Sequence, residues 1–342
     1  MKRWKGYEHG VNLGGWLSQC DHTKERYEGF IREDDIRRIA SWGLDHIRVP
    51  VDYELVEDEQ GNPREGGYVY LDRIAEWTGK HHLNLILDLH KTCGFSFDFG
   101  EKEEGFFDSE ELQERFYKLW EEFARRYGDQ SERIAFELLN EVTEKSYMDT
   151  WNRIAKTAIE RIRVYAPKTK ILIGGYYNNS VEAVPDIMLP PDENIIYNFH
   201  CYEPLIYTHQ GAYWAPGMDV NFRISIDASY EELAAASEKY LTQVTVPMEG
   251  LDPKKSLGEE YFEKIFRKAV EVAEERNVAL YCGEYGVIDR ADPKEALRWY
   301  RIISSVFDKY GIGRAAWSYK EMDFGLIDEH MAEVAQDVIK AL

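Results

Sequence analysis

The feature that most restricts this chain is its alternation: eight apolar runs of strand length are separated by amphipathic helical stretches. Strands are expected over 10–16, 46–50, 84–90, 134–141, 171–174, 194–200, 278–284 and 314–319. Helices are expected over 33–42, 71–82, 109–127, 151–165, 180–188, 261–276 and 331–342. A further helix opens on Asp292-Pro293-Lys294-Glu295, a cap, a first-position proline and a carboxylate able to reach back, and stops at Gly311. Eight strands with eight helices over 342 residues predict one α/β unit, a (β/α)8 TIM barrel spanning 1–342. A doubly wound open sheet would need a phosphate-cradling glycine turn after the first strand. Gly14-Gly15 lacks the three-glycine spacing. One segment breaks the period. Residues 203–260, after the sixth strand, far exceed the usual connection of about 2–6 residues. They carry Tyr207, Tyr213, Trp214 and Pro216 and then turn helical over 230–240, so a small inserted subdomain over the barrel mouth is expected, with Trp214 as a wall of the cleft.

In a parallel barrel the C-terminal strand ends meet at one rim, and function collects there. Two strands here end in a carboxylate: Ile-Ala-Phe-Glu-Leu-Leu-Asn-Glu at 134–141, and Val-Ala-Leu-Tyr-Cys-Gly-Glu at 278–284. A carboxylate buried at the end of an apolar strand is costly unless something pairs or uses it. Glu141 and Glu284 are therefore candidates for an acid/base or acid/nucleophile pair. Arg48, His90, Asn140, His200, Tyr202 and Trp317 fall at or beside other strand ends. Singly, His90 reads as a structural histidine, Trp317 as core and Arg48 as a barrel-interior ion pair; at one rim together they read as a site. Side-chain alternation puts Glu137 on the face of Glu141, Asp88 on that of His90 and Asn198 on that of His200, with Asn12 and Arg48 at comparable depth. Arg48 is thus expected to be held by Glu137, Glu284 or both. Asn140 and Glu141 are adjacent, so both can face the site only if the strand bends or bulges. Asn178, after the fifth strand, is expected to reach a substrate hydroxyl. Phe95, Phe97, Phe99, Phe106 and Phe107 suit either loop core or sugar platforms.

A net charge of −21 argues against nucleic acid or an anionic membrane as partner, and against polyanionic substrates. A neutral ligand fits, and the 23 tyrosines and 9 tryptophans suit sugar stacking as well as a large core. The four cysteines lack zinc or redox spacing and are expected as reduced thiols. Lys2, Arg3 and Lys5 are not followed by an apolar core. The expectation is a cytoplasmic chain, or an extracellular one if a leader was removed or export is leaderless.

The constellation resembles glycoside hydrolase family 5, the large cellulase family, over essentially the whole chain. The motifs are Asn-Glu after the fourth strand, His-Cys-Tyr at 200–202, Gly-Glu-Tyr-Gly at 283–286 and Trp317 at the eighth. Val142 stands where the family usually has proline after Asn-Glu. Gly-Val-Asn-Leu-Gly-Gly-Trp at 10–16 and the long insertion resemble the leaderless clostridial-type endoglucanase branch, although that opening is also similar to exo-β-1,3-glucanases of the family. The resemblance implies a retaining β-glucanase in which Glu141 is the general acid/base and Glu284 the nucleophile. It implies that Asn140 bonds the sugar 2-hydroxyl, Tyr202 orients Glu284, His90 and His200 contact the sugar or hold the acid, and Trp317 floors the subsite before the scissile bond. No metal or organic cofactor is implied. The expected protein is a monomer cleaving β-1,4 bonds in cellulose-like, mixed-linkage or glucomannan chains, with β-1,3-glucan, β-mannan and xyloglucan as alternatives.

Two other classes compete. A metal-dependent hydrolase could use His90, His200, Glu141 and Glu284 as ligands, but no His-x-His pair ends the first strand and Arg48 would repel a cation. A silent sugar-binding barrel would normally have lost one carboxylate, and both are present.

Overall fold

Eight parallel strands close into a barrel in sequence order in the computed structural model, which describes residues 1–98, 101, 104–241 and 244–342. They are β1 (His9–Asn12), β2 (His46–Asp52), β3 (Asn84–Lys91), β4 (Ile134–Glu137), β5 (Ile171–Ile173), β6 (Ile195–Cys201), β7 (Ala279–Tyr285) and β8 (Gly313–Ala316). The expected TIM barrel is the observed fold. No helix among the described residues is long and apolar enough to cross a membrane, and no disulfide links cysteines among them.

Side-chain alternation along the strands divides the interior from the helical shell. Ile47, Val49, Leu85, Leu87, Phe136, Ile171, Ile173 and Phe199 join the large apolar core that the surrounding helices bury. Their inward neighbours Ile86, Ala135, Leu172, Ile196, Ala279, Tyr281 and Ala315 form a separate apolar plug inside the barrel. Trp4 and Tyr7, just ahead of β1, stack at 3.9 Å and close its N-terminal end. Above this plug, toward the C-terminal strand ends, the interior turns polar.

The shell helices start where local chemistry favours it. Ser109 caps Glu110–Tyr127 by accepting from the Leu112 amide. Asp292 caps Pro293–Tyr310 by accepting from Lys294 and Glu295. Contrary to what its spacing predicted, Glu295 does not reach back to that cap. Its carboxylate instead accepts from Ser225 Oγ and the Ile226 amide, both at 2.8 Å, and so ties down the long connection after β6. Arg298 on the same helix pairs with Asp227 at 2.6 Å. Within 203–260 the predicted helix is present as Tyr230–Tyr240, opened by a reciprocal cap between Ser229 and Glu232. Ile206, Tyr207, Tyr230, Leu233 and Leu257 share the barrel's main core rather than forming one of their own.

Several boundaries differ from the sequence pattern: β1 ends at Asn12 and β8 at Ala316, short of the expected 16 and 319, and the helix expected over 71–82 is Glu65–Lys80. β4 stops at Glu137, so the apolar run to Glu141 is only half strand. The helix expected over 180–188 is a 3-10 turn, Val181–Asp186, interrupted by Pro185. The final helix is Ala335–Ala341, preceded by a 3-10 turn at Glu329–Met331.

Candidate active site

The polar layer is organised by Arg48, which is fully buried in the middle of β2. Register sets Asn12 beside it on β1, while on β3 and β4 Asp88 pairs with Glu137. Arg48 Nε and Nη2 donate to the two oxygens of Glu137 at 2.7 and 2.9 Å. Nη1 donates to Asn12 Oδ1 at 2.9 Å and to Glu284 Oε1 at 2.8 Å. Nη2 also donates to Asn140 Oδ1 at 2.9 Å and lies 3.0 Å from Asp88 Oδ2. Burial opposes the guanidinium charge, but Asp88, Glu137 and Glu284 outweigh it and hold its pKa above the usual range. The fork geometry of arginine is what lets one side chain serve three carboxylates and two amides.

Plain alternation would not aim Glu284 into the barrel. On β7, Tyr281 faces inward, and the regular pattern would place Gly283 there next. The register between β6 and β7 slips at this point: Phe199 pairs with Cys282, but His200 pairs with Glu284. Gly283 is the extra residue, and the bulge turns Glu284 to the interior. Its amide donates to Asn198 Oδ1 and its carbonyl accepts from Asn12 Nδ2, both at 2.9 Å. A Cβ on Gly283 would lie 2.8 Å from Asn198 Oδ1, so a side chain cannot occupy this position without displacing the network. Gly286 is under the same restriction, since its Cβ would fall 2.4 Å from the Trp317 carbonyl oxygen.

Glu141 reaches the site by another route. Beyond β4 the chain turns, and Glu141 takes a left-handed backbone with φ of 45°. Face-sharing with Glu137 therefore does not extend to it. The turn is what lets Asn140 and Glu141 both enter the site. Glu141 Oε1 lies 2.7 Å from His200 Nδ1, and Oε2 accepts from Asn178 Nδ2 at 3.1 Å. Burial pushes its pKa up to about 7, against the opposing pull of Asn178 and Arg48. His200 Nδ1 is also 3.6 Å from Glu284 Oε2, so the imidazole spans the two carboxylates. Burial lowers the His200 pKa to about 4, which keeps the ring neutral.

The remaining predicted residues fall around this pair. Tyr202 donates its hydroxyl to Glu284 Oε2 at 2.9 Å, and burial followed by the Glu284 charge holds its pKa well above normal. His90 Nδ1 bonds Asp88 Oδ2 at 2.5 Å, and burial drives the ring's pKa to about 3. With Asp88 ionised, that bond takes the hydrogen of Nδ1 and leaves Nε2 as an acceptor. The Trp317 ring lies nearly parallel to His90, 5.8 Å away, and packs with Ala212, Ile288 and Phe324. Trp214 borders that cluster, 6.4 Å from Phe324. Asn140 spends its oxygen on Arg48, and its buried Nδ2 meets no acceptor among the described residues. Asn178 donates its Nδ2 to Glu141 Oε2. Phe97 stands edge-on to His90 at 4.8 Å, whereas Phe95, Phe106 and Phe107 are core; Phe99 lies outside the described residues.

Two contributors were not singled out from the sequence. Asn179 Nδ2 sits 3.4 Å from His200 Nε2, and His209 packs edge-on against Tyr202 at 5.0 Å. The Asn-Asn pair after β5 was the available signal for the first; nothing in the pattern of 203–260 marked the second.

Chemically, the arrangement offers a carboxyl poised near neutrality opposite a carboxylate fixed by a guanidinium and a phenol. An oxygen of Glu141 and one of Glu284 lie within 4.8 Å of each other. Retaining glycosidases place their carboxyl groups about 5–5.5 Å apart and inverting ones about 6.5–9.5 Å, so the spacing is that of a double displacement. Among the described residues, Glu141, His200 and Glu284 are also the one trio whose donor atoms could converge on a metal. Arg48, 2.8 Å from Glu284, sets a fixed positive charge against that use.

Comparison with known proteins agrees with this geometry. The model of the family described as Cellulase (glycosyl hydrolase family 5) matches residues 4–323. Cellodextrinase A of Ruminococcus flavefaciens is 46% identical over 314 residues, 92% of this chain and 86% of that protein. Endoglucanase C of Acetivibrio thermocellus is 37% identical over 344 aligned positions, 98% of each. Among solved structures, endoglucanase Cel5A from Thermotoga maritima superposes with a TM-score of 0.77 at 23% identity, covering 98% of this chain and 97% of that one.

Proposed function

The chain belongs to the cellulase family, glycosyl hydrolase family 5, and from that premise we propose a specific division of labour for its endo-β-1,4-glucanase chemistry. Glu141 protonates the departing glycosidic oxygen while Glu284 attacks the anomeric carbon. The glycosyl–enzyme ester is then hydrolysed by water that Glu141 deprotonates. The observation that carries this is the approach of one oxygen of Glu141 and one of Glu284 to within 4.8 Å, with His200 spanning the two groups.

The supporting roles follow from the contacts. Arg48 and Tyr202 each donate to one oxygen of Glu284 and so hold its carboxyl group in place. Asn140 Nδ2, otherwise unpaired, donates to the sugar 2-hydroxyl. His90, with its hydrogen committed to Asp88, presents an acceptor to a neighbouring hydroxyl, and Trp317 supplies the apolar floor for the ring before the scissile bond. Residues 203–260 act as an inserted subdomain that walls one side of the cleft, with Trp214 on its inner face. The substrate class is a neutral, soluble β-1,4-linked glucan or cello-oligosaccharide, consistent with the net charge of −21. A panel of carboxymethylcellulose, barley glucan, glucomannan, xyloglucan and laminarin tests this. The first three are expected to release reducing ends; exclusive action on laminarin would overturn the linkage.

A further inference from the structure

The turn after β5 holds three successive non-glycine residues in the left-handed region: Tyr177 (φ 50°), Asn178 (56°) and Asn179 (55°). Asparagine tolerates that region better than most residues and tyrosine does not, so such a run persists only where its surroundings fix it. Here the fixing groups belong to the acid/base segment. The Tyr177 amide donates to the Thr143 carbonyl at 3.2 Å and the Asn178 amide to the Val142 carbonyl at 3.0 Å. The turn is thus bolted to the two residues that follow Glu141, and Asn178 returns its side chain to Glu141 Oε2 at 3.1 Å. Val142 is fully buried, and its carbonyl receives one of these bonds.

We propose that Asn178 is a positioning residue for the acid/base, fixing Oε2 of Glu141 and favouring the carboxylate form needed when Glu141 acts as base. The inference rests on the assignment of Glu141 as acid/base. In the first displacement the Glu141 proton passes to the leaving oxygen, the glycosidic C–O bond breaks, and a C–O bond to Glu284 forms. In the second, water attacks the same carbon, its proton goes to Glu141, and the ester electrons return to Glu284. A hydrogen bond from a fixed amide to Oε2 is stronger when that oxygen carries charge, so it aids proton loss in the first step and readies the base for the second. The other groups facing Glu141 are His200 and Tyr202 from β6 and the residue after it, Glu284 from β7, Arg48 from β2, Asp88 from β3, Glu137 from β4 and Asp98 from the loop after β3. Arg48 favours the anion and the carboxylates oppose it. Asn178 supplies a donor to the oxygen that His200 does not reach.

Asn178→Gly removes the donor and keeps a residue suited to the left-handed backbone, while Asn178→Asp keeps the shape and replaces the donor with charge. The test measures kcat/KM on a soluble cello-oligosaccharide across the neutral pH range, together with the burst of phenol from an aryl cellobioside. Expected is an alkaline limb displaced upward by about half to one pH unit in Asn178→Gly and further in Asn178→Asp, with a larger burst as the second step slows. A limb that stays in place, or a uniform loss at every pH, would overturn the proposal and leave Asn178 as a structural turn residue. Glu141→Ala run in parallel separates the two questions: undiminished activity on the oligosaccharide would instead overturn the acid/base assignment itself.

Discussion

Replacing Arg48 with methionine should damage stability and turnover together, and the stability loss should depend on pH in a definite direction. The substitution keeps apolar bulk in the barrel but removes the cation shared by Asp88, Glu137 and Glu284. Removing one partner of a buried ion pair costs about 3–5 kcal/mol, because the remaining charge is left unpaired. An unfolding entropy of about 2.1 cal/mol/K per residue gives about 0.7 kcal/mol/K for 342 residues, so the melting temperature should fall by about 4–7 °C. The sign of the pH effect follows from Asp88 and Glu137. Burial already raises both, Asp88 to about 7 even with Arg48 present, and Arg48 is what restrains them. Without it their folded pKa values rise further. A carboxyl whose folded pKa exceeds its unfolded value of about 4 contributes stability fully below that value and loses it as pH climbs through the folded pKa. The deficit of Arg48→Met relative to the parent should therefore be smaller at about pH 5 than at about pH 8. Thermal melts followed by circular dichroism at the two pH values, with aryl-cellobioside turnover on the same samples, make the check. An equal deficit at both pH values with turnover preserved would refute the idea that this arginine neutralises the polar layer.

Other outcomes follow from the same geometry. Glu284→Ala should abolish turnover, and added azide should yield a glycosyl azide of inverted configuration; a parent-like rate would remove Glu284 from the nucleophile role. Glu141→Ala should slow natural glycosides by about 10²–10⁴-fold yet spare aryl glycosides with very good leaving groups, so equal loss on both would exclude proton donation. Burial raises Glu141 to about 7 in the fold, so its contribution to stability is complete below about pH 4 and lost through about pH 7. Glu141→Gln should accordingly melt above the parent at about pH 8 and with it at about pH 4; a variant less stable at the higher pH would contradict that burden. Trp214→Ala should raise KM for oligosaccharides and leave kcat on small aryl glycosides unchanged, and no change in either would take it out of the cleft.

Much of this was legible in the residues because barrels and strands are periodic. Eight apolar runs at βα spacing sufficed for the fold, and their ends pointed to Arg48, His90, His200 and Glu284. What periodicity could not carry were the places where the chain leaves it. Glu284 faces inward through a bulge at Gly283, and Glu141 enters on a left-handed turn beyond a strand that has already ended at Glu137. Both departures are set by long-range hydrogen bonds: Asn12 donates to the Gly283 carbonyl, while Asn198 Oδ1 and the Leu89 carbonyl accept from the Gly283 and Asn140 amides. The aim of Asn178 at Glu141 depends equally on backbone contacts between two loops. Glu295 shows the opposite case: a sound local capping pattern was overridden by the tertiary demand of Ser225 and Ile226.

The stereochemistry of the first-formed product is the decisive observation. Proton NMR of a cello-oligosaccharide digest, read before mutarotation, reports the anomer as it leaves the enzyme. With an oxygen of Glu141 and one of Glu284 within 4.8 Å, the pair is set for attack by Glu284 rather than by an intervening water, so the β-anomer should appear first and the α-anomer only later. An α-anomer formed first would mean direct displacement by water, and Glu284 could not then be the nucleophile.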